Sequence, residues 1–106
     1  MQQKENKKQT ESNGPVVICV FDNVNIEEYI KLLKLLRESN ISSEIYPGEG
    51  KLKKQMEYAN KIQSPCVIFY GEDEIKKAEV KLRNLKTGNE LSVKIENLVD
   101  EIKKLL

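Results

Sequence analysis

The chain contains no histidine and no tryptophan. Without His there is no imidazole base, no imidazole metal ligand and no Ser-His-Asp triad. Aromatic residues make up only 6% of the sequence, and cysteines number two. No apolar run approaches the roughly 18 residues of a membrane helix. The opening residues carry no apolar h-region of a secretory signal. A dominant charge is also missing, since 18 Lys and Arg stand against 17 Asp and Glu for a formal +1. That balance argues against a domain that grips duplex DNA through a broad basic field. At 106 residues there is room for one core and no more.

Cys19 and Cys66 lie 47 positions apart, each inside an apolar run. Two thiols with no CxxC spacing make neither a disulfide framework nor a zinc site. They are expected as reduced, buried strand residues, which points to a reducing compartment such as the cytoplasm.

Residues 1–14 have no apolar member after Met1 and read as a disordered polar lead or linker. The composition changes at Pro15, so the domain is expected to span 15–106. Val16 to Phe21 is a continuous β-branched run, as in a strand covered on both faces. Asp22 to Asn25 supplies turn and cap oxygens, with Glu28 placed for a capping box on Asn25. Ile26, Tyr29, Ile30, Leu33 and Leu36 recur at helical spacing. A short strand over Ile41–Tyr46 follows, then Pro47-Gly48. A second helix is expected from Lys51 to Ile62, with Leu52, Met56, Ala59 and Ile62 on its inner face. Cys66–Tyr70 is a third strand, and the β-α-β-α-β order implies parallel pairing through right-handed crossovers.

After an acidic loop, Gly71-Glu72-Asp73-Glu74, the pattern alternates. Val80 and Leu82 point one way, while Glu79, Lys81 and Arg83 point the other. Lys86–Asn89 is a hairpin turn with Gly88 free to take positive φ. Leu91–Val93 returns as its partner, and Ile95, Leu98, Val99, Ile102 and Leu105 close the chain as an amphipathic helix.

Little here suggests chemistry. No Ser or Thr sits in a nucleophile elbow or a Ser-x-x-Lys context, so this chain alone is not expected to catalyse. The three carboxylates at 72–74 lack the spacing of a calcium loop, and no metal site is expected. Pro47-Gly48-Glu49-Gly50-Lys51 precedes a helix without completing a phosphate-loop pattern. It still lies at the carboxyl end of the strands, where open sheets bind ligands. Glu74 and Arg83, nine positions apart, come near one another if strand 79–83 pairs antiparallel with 66–70. A carboxylate accepts from base amines and an Arg fork donates to base acceptors, so the two could read an unstacked base. The alternative is an ordinary surface ion pair. Lys51, Lys53 and Lys54 could meet a nucleic-acid backbone or simply form a solvated face.

The helix Lys51-Leu52-Lys53-Lys54-Gln55-Met56-Glu57-Tyr58-Ala59, the strand after it, Gly71-Glu72-Asp73-Glu74 and Val80-x-Leu82-Arg83-Asn84-Leu85-x-Thr87-Gly88 resemble the C-terminal anticodon-binding domain of histidyl-tRNA synthetases. The resemblance runs collinearly from about residue 15 to 106. It implies a three-layer α/β/α fold with three helices and a five-stranded mixed sheet, order 2-1-3-4-5, strand 4 antiparallel. It implies recognition of the tRNA-His anticodon loop, with Glu74 and Arg83 at base-contacting positions and Lys81 grouped with them. Glu49 and Gln63 fall on further contact positions where this sequence differs from the threonyl relative. It also implies a partner catalytic domain that uses ATP and Mg²⁺ for histidine ligation and carries the homodimer contacts, with no cofactor, DNA or membrane partner for this chain. Ala78 and Glu90 depart from the Gly and Gln usual in the family. A different reading of the same fold is a free-standing relative serving protein interaction or regulation.

Overall fold

The computed structural model describes residues 14–21, 24–48 and 50–106. The polar lead up to residue 13, Asp22, Asn23 and Glu49 therefore lie outside the described residues. In chain order the elements are β1 (Val16–Cys19), α1 (Ile26–Glu38), β2 (Ser43–Ile45), α2 (Leu52–Lys61), β3 (Cys66–Phe69), α3 (Glu72–Lys77), β4 (Glu79–Asn84), β5 (Glu90–Lys94) and α4 (Ile95–Leu105). One five-stranded sheet runs in the order β2-β1-β3-β4-β5. β1 pairs in parallel with β2 and β3, while β4 is antiparallel to both β3 and β5. The architecture is the α/β mixed sheet expected.

The two fully buried strands are the two continuous apolar runs, β1 and β3. Their alternate residues feed two cores on opposite sheet faces. Val16, Ile18, Cys66 and Ile68 pack with α1 and α4 through Tyr29, Leu36, Leu98 and Ile102. Val17, Cys19, Val67 and Phe69 pack on the other face against Ala59 and Met56 of α2. β4 obeys its alternation, with Val80 and Leu82 buried and Lys81 exposed. Both cysteines are buried and free.

Five points differ from the sequence reading. The expected acidic loop is a short helix, α3, which makes four helices rather than three. Glu74 folds back on its first turn and accepts the Gly71 N–H at 2.8 Å, so local capping forms the turn without a hydrophobic stripe. On α1 the buried stripe is Tyr29, Leu32 and Leu36, while Ile26 and Ile30 are 54% and 50% exposed. Tyr29 faces inward as expected, its hydroxyl accepting the Phe21 N–H at 2.9 Å, and Leu32 rather than Ile26 or Ile30 completes the stripe with Leu36. Asn25 does cap α1, accepting from Glu27 N, whereas no Glu28 side-chain bond completes a box. On α2 the fully buried positions are Gln55 and Ala59, and Leu52 is exposed. β2 is shorter than expected, held at Ser43 O by two donors from Arg37 at 3.2 and 3.0 Å.

Ala78 ends α3 in the left-handed conformation, φ 55°, where a glycine would sit without steric cost.

Candidate functional site

The α2 face of the sheet is covered over β1 and β3 but open over β4 and β5. Phe69 pairs with Lys81, and Val67 with Arg83, so these four share one face. Lys81 in turn stands opposite Ser92, and Arg83 opposite Glu90. Lys81, Ser92 and Glu90 are exposed and Arg83 is half-buried, which leaves a polar shelf beside an apolar wall.

Glu74, Lys81, Arg83 and Glu90 line one cavity of about 280 Å³, whose apolar wall includes Phe21 and Phe69. The antiparallel β3–β4 pairing brings the two base-reading candidates together as expected. Among the described residues the ion pair within 4.0 Å is Lys104–Glu101, and none joins Glu74 to Arg83. The surface ion pair that was the alternative reading is therefore not formed. One Glu74 oxygen is engaged by Gly71 N, which fixes the carboxylate in place, and among the described residues its second oxygen has no hydrogen-bond partner.

A second, larger cavity of about 570 Å³ adjoins the first and shares Phe21 and Leu52 with it. Gly48, Gly50, Lys51 and Gln55 line its other side. Gly50 has φ 144°, a conformation L side chains rarely adopt, so the loop needs glycine there. Lys51 lines this cavity, and Lys53 and Lys54 are exposed on the first turn of α2.

The charge placement on α2 is informative. The helices α1, α3 and α4 carry acidic residues in their first turns, as the helix dipole favours. α2 carries none there and has lysines instead. Each misplaced cation costs about 0.3–1 kcal/mol of helix stability.

Gln63 takes a left-handed φ of 61° between α2 and β3 and does not line either cavity. Its backbone O accepts from Gly14 N at 3.0 Å. Glu49 lies outside the described residues.

Two contributors escaped the sequence reading. Phe21 closes the apolar run of β1 and looks like one more core residue, yet it lines both cavities. Gln55 is 1% exposed and makes three hydrogen bonds to backbone: Val20 N donates to its Oε1 at 2.9 Å, and its Nε2 donates to Val20 O at 3.0 Å and Gly50 O at 3.1 Å. The only available signal was a Gln at a position whose helical neighbours face the core.

An open sheet face, a carboxylate and an Arg fork in one cavity, and lysines at an adjacent helix start stand together on one side of this α/β domain. Residues 15–105 match the family described as anticodon binding domain, and the chain belongs to that family. Within it the chain is similar to histidine–tRNA ligases. It is 41% identical over 103 residues to that of Pelagibacter ubique, covering 92% of this chain and 22% of the relative. It is 40% identical over 99 residues to that of Clostridium tetani, covering 93% and 22%. The chain thus spans about a fifth of the length of the curated relatives it matches. Among solved structures, the histidyl-tRNA synthetase of Nostoc sp. shares the fold with a TM-score of 0.82 at 24% identity, over 86% of this chain and 22% of that one. Among the described residues there is no group of three or more His, Cys, Asp or Glu that could hold a metal, and no helix long and apolar enough to cross a membrane.

Proposed function

We propose that this chain reads unstacked bases of the tRNA-His anticodon loop. Arg83 and Glu74 read base edges from one cavity, with Lys81 beside them. Lys51, Lys53 and Lys54 meet backbone phosphates as the loop leaves it. In the parent synthetase it works in the cytoplasm beside a catalytic body that joins histidine to tRNA with ATP and Mg²⁺ and supplies the dimer contacts.

The observation that carries this reading is the set of Glu74, Lys81, Arg83 and Glu90 around one cavity with no ion pair among the four, next to lysines at the start of α2. The shared 40–41% identity to histidine–tRNA ligases supports histidine tRNA as the partner. A near-neutral domain suits a short single-stranded loop, which needs a few placed cations rather than a basic field.

NMR titration with a tRNA-His anticodon stem-loop tests it. Amide shifts are expected on β4, β5, α3 and the start of α2. Shifts confined to the outer face of α1, or none at all, would refute the reading.

A further inference from the structure

Phe21 stands where the two cavities meet, half-buried, and with Leu52 forms the ridge between them. A Cβ placed on Gly71 would lie 3.7 Å from the Phe21 ring and 3.0 Å from Glu74 Oε1. Ring and carboxylate therefore flank the same glycine. A flat group lying on the ring would present its edge toward the polar side chains of the smaller cavity.

The backbone that carries this ring is held from both sides of the sheet. From the α2 side, Gln55 takes both the N–H and the C=O of Val20 and ties them to Gly50 of the neighbouring loop. From the α1 side, the buried Tyr29 hydroxyl accepts the Phe21 N–H. Val20 and Phe21 lie just beyond the end of β1, so without these partners their polar groups would lack a ladder. Such fixation is what a recognition surface requires, because a side chain that moves loses orientation and affinity together.

We propose that Phe21 is the stacking platform for one unstacked base, with Gln55 and Tyr29 as positioning residues that hold it. The proposal rests on the anticodon reading above and names the aromatic surface that reading needs. Nucleobases stack on aromatic rings whatever their sequence, so the platform supplies affinity while Glu74 and Arg83 supply choice.

The test uses the full chain and a tRNA-His anticodon stem-loop carrying 2-aminopurine at each anticodon position in turn. Stacking on Phe21 is expected to change the emission of one labelled loop on binding. Phe21→Leu keeps an apolar ridge but no ring; it is expected to abolish that change and weaken binding about five- to hundredfold. Phe21→Trp is expected to restore both, and its indole, the only one in the chain, should respond to unlabelled loop. Circular dichroism of each variant verifies the fold. If wild type binds and Phe21→Leu matches it in affinity and emission, the platform is wrong and the anticodon reading stands. If wild type fails to bind the loop, both fall.

Discussion

Arg83 stands directly opposite Glu90 across the β4–β5 ladder, and both side chains open onto the cavity that holds Glu74. Among the described residues no ion pair within 4.0 Å involves any of the three, and an Arg fork suits a planar acceptor. Arg83→Ala is expected to weaken anticodon-loop binding by about 1–3 kcal/mol and to relax base choice. Melting should move little, because Arg83 lies outside both buried clusters, and a substitution away from such features is worth within about 0.5 kcal/mol. Arg83→Lys should retain the salt dependence of binding but not the base choice. Binding isotherms for two loops and a melting curve check this. Full discrimination in Arg83→Ala would contradict it.

Lys53 gives a prediction with two signs. Lys53→Glu replaces a cation at the positive end of α2 with an anion, which should stabilise the domain by about 0.3–1 kcal/mol. The same change should weaken RNA binding and make the log–log salt slope about 0.7 shallower. Denaturant unfolding and a salt titration read the two effects separately. A lysine that merely decorates a solvated face would give the first effect without the second.

Gln55 is the structural keystone between α2 and the end of β1. Gln55→Leu removes three hydrogen bonds and leaves Val20 N–H, Val20 O and Gly50 O without their partner. An abandoned buried polar group costs about 1–3 kcal/mol, so a loss of about 2–4 kcal/mol is expected by denaturant melting. Hydrogen exchange at the Val20 amide should accelerate more than exchange in β3. Unchanged stability would mean that solvent replaces Gln55 without cost.

Ala78 adopts φ 55° at the end of α3, a conformation that costs a residue with a Cβ about 1–2 kcal/mol. Glycine there relieves the strain but gains freedom in the unfolded chain, leaving a net stabilisation of about 0.5–1 kcal/mol for Ala78→Gly. A lower melting temperature would contradict the assignment.

Burial pushes the Cys19 and Cys66 thiols up to about 12, from an ordinary value of 9.0. A group whose folded pKa is raised gives its full contribution below the unfolded pKa. That contribution is lost as pH rises through the window between 9 and 12. Each thiol therefore removes about 1.4 kcal/mol per pH unit in that window. Burial raises Tyr29 and Tyr70 in the same direction. With no His in the chain, no imidazole adds a transition between pH 5 and 8. Stability measured against pH should stay level there and fall above about pH 9. Neither thiol should react with Ellman's reagent at pH 8 until the chain is unfolded.

Much of this was legible because the sequence patterns are strong where the sheet is. Two continuous apolar runs became the doubly covered β1 and β3, and the alternation at 79–83 became β4 with the correct residues inward. The sheet order came with the family resemblance, since strand partners are set by long-range packing that no local pattern encodes. α3 was illegible for a local reason: six residues with Ile75 as their single apolar member show no period. Gln55 was missed because its partners are backbone atoms 35 residues away and five residues back, invisible to a side-chain pattern. Phe21 was missed because an aromatic residue ending a buried strand reads as core until the neighbouring strands leave their face uncovered. Glu74 and Arg83 were singled out by the family resemblance, since a nine-residue spacing is unspecific by itself, and Gln63, carried over in the same way, lies on a turn that does not line the cavity.

The central claim is that base identity in the anticodon is read by this chain. Equilibrium binding to tRNA-His and to the same tRNA with one anticodon base exchanged, at a single fixed salt concentration, tests it most directly. A lost bidentate base contact is worth about 1–3 kcal/mol, so the exchanged tRNA should bind about five- to hundredfold more weakly. Equal Kd values for the two tRNAs would contradict the account.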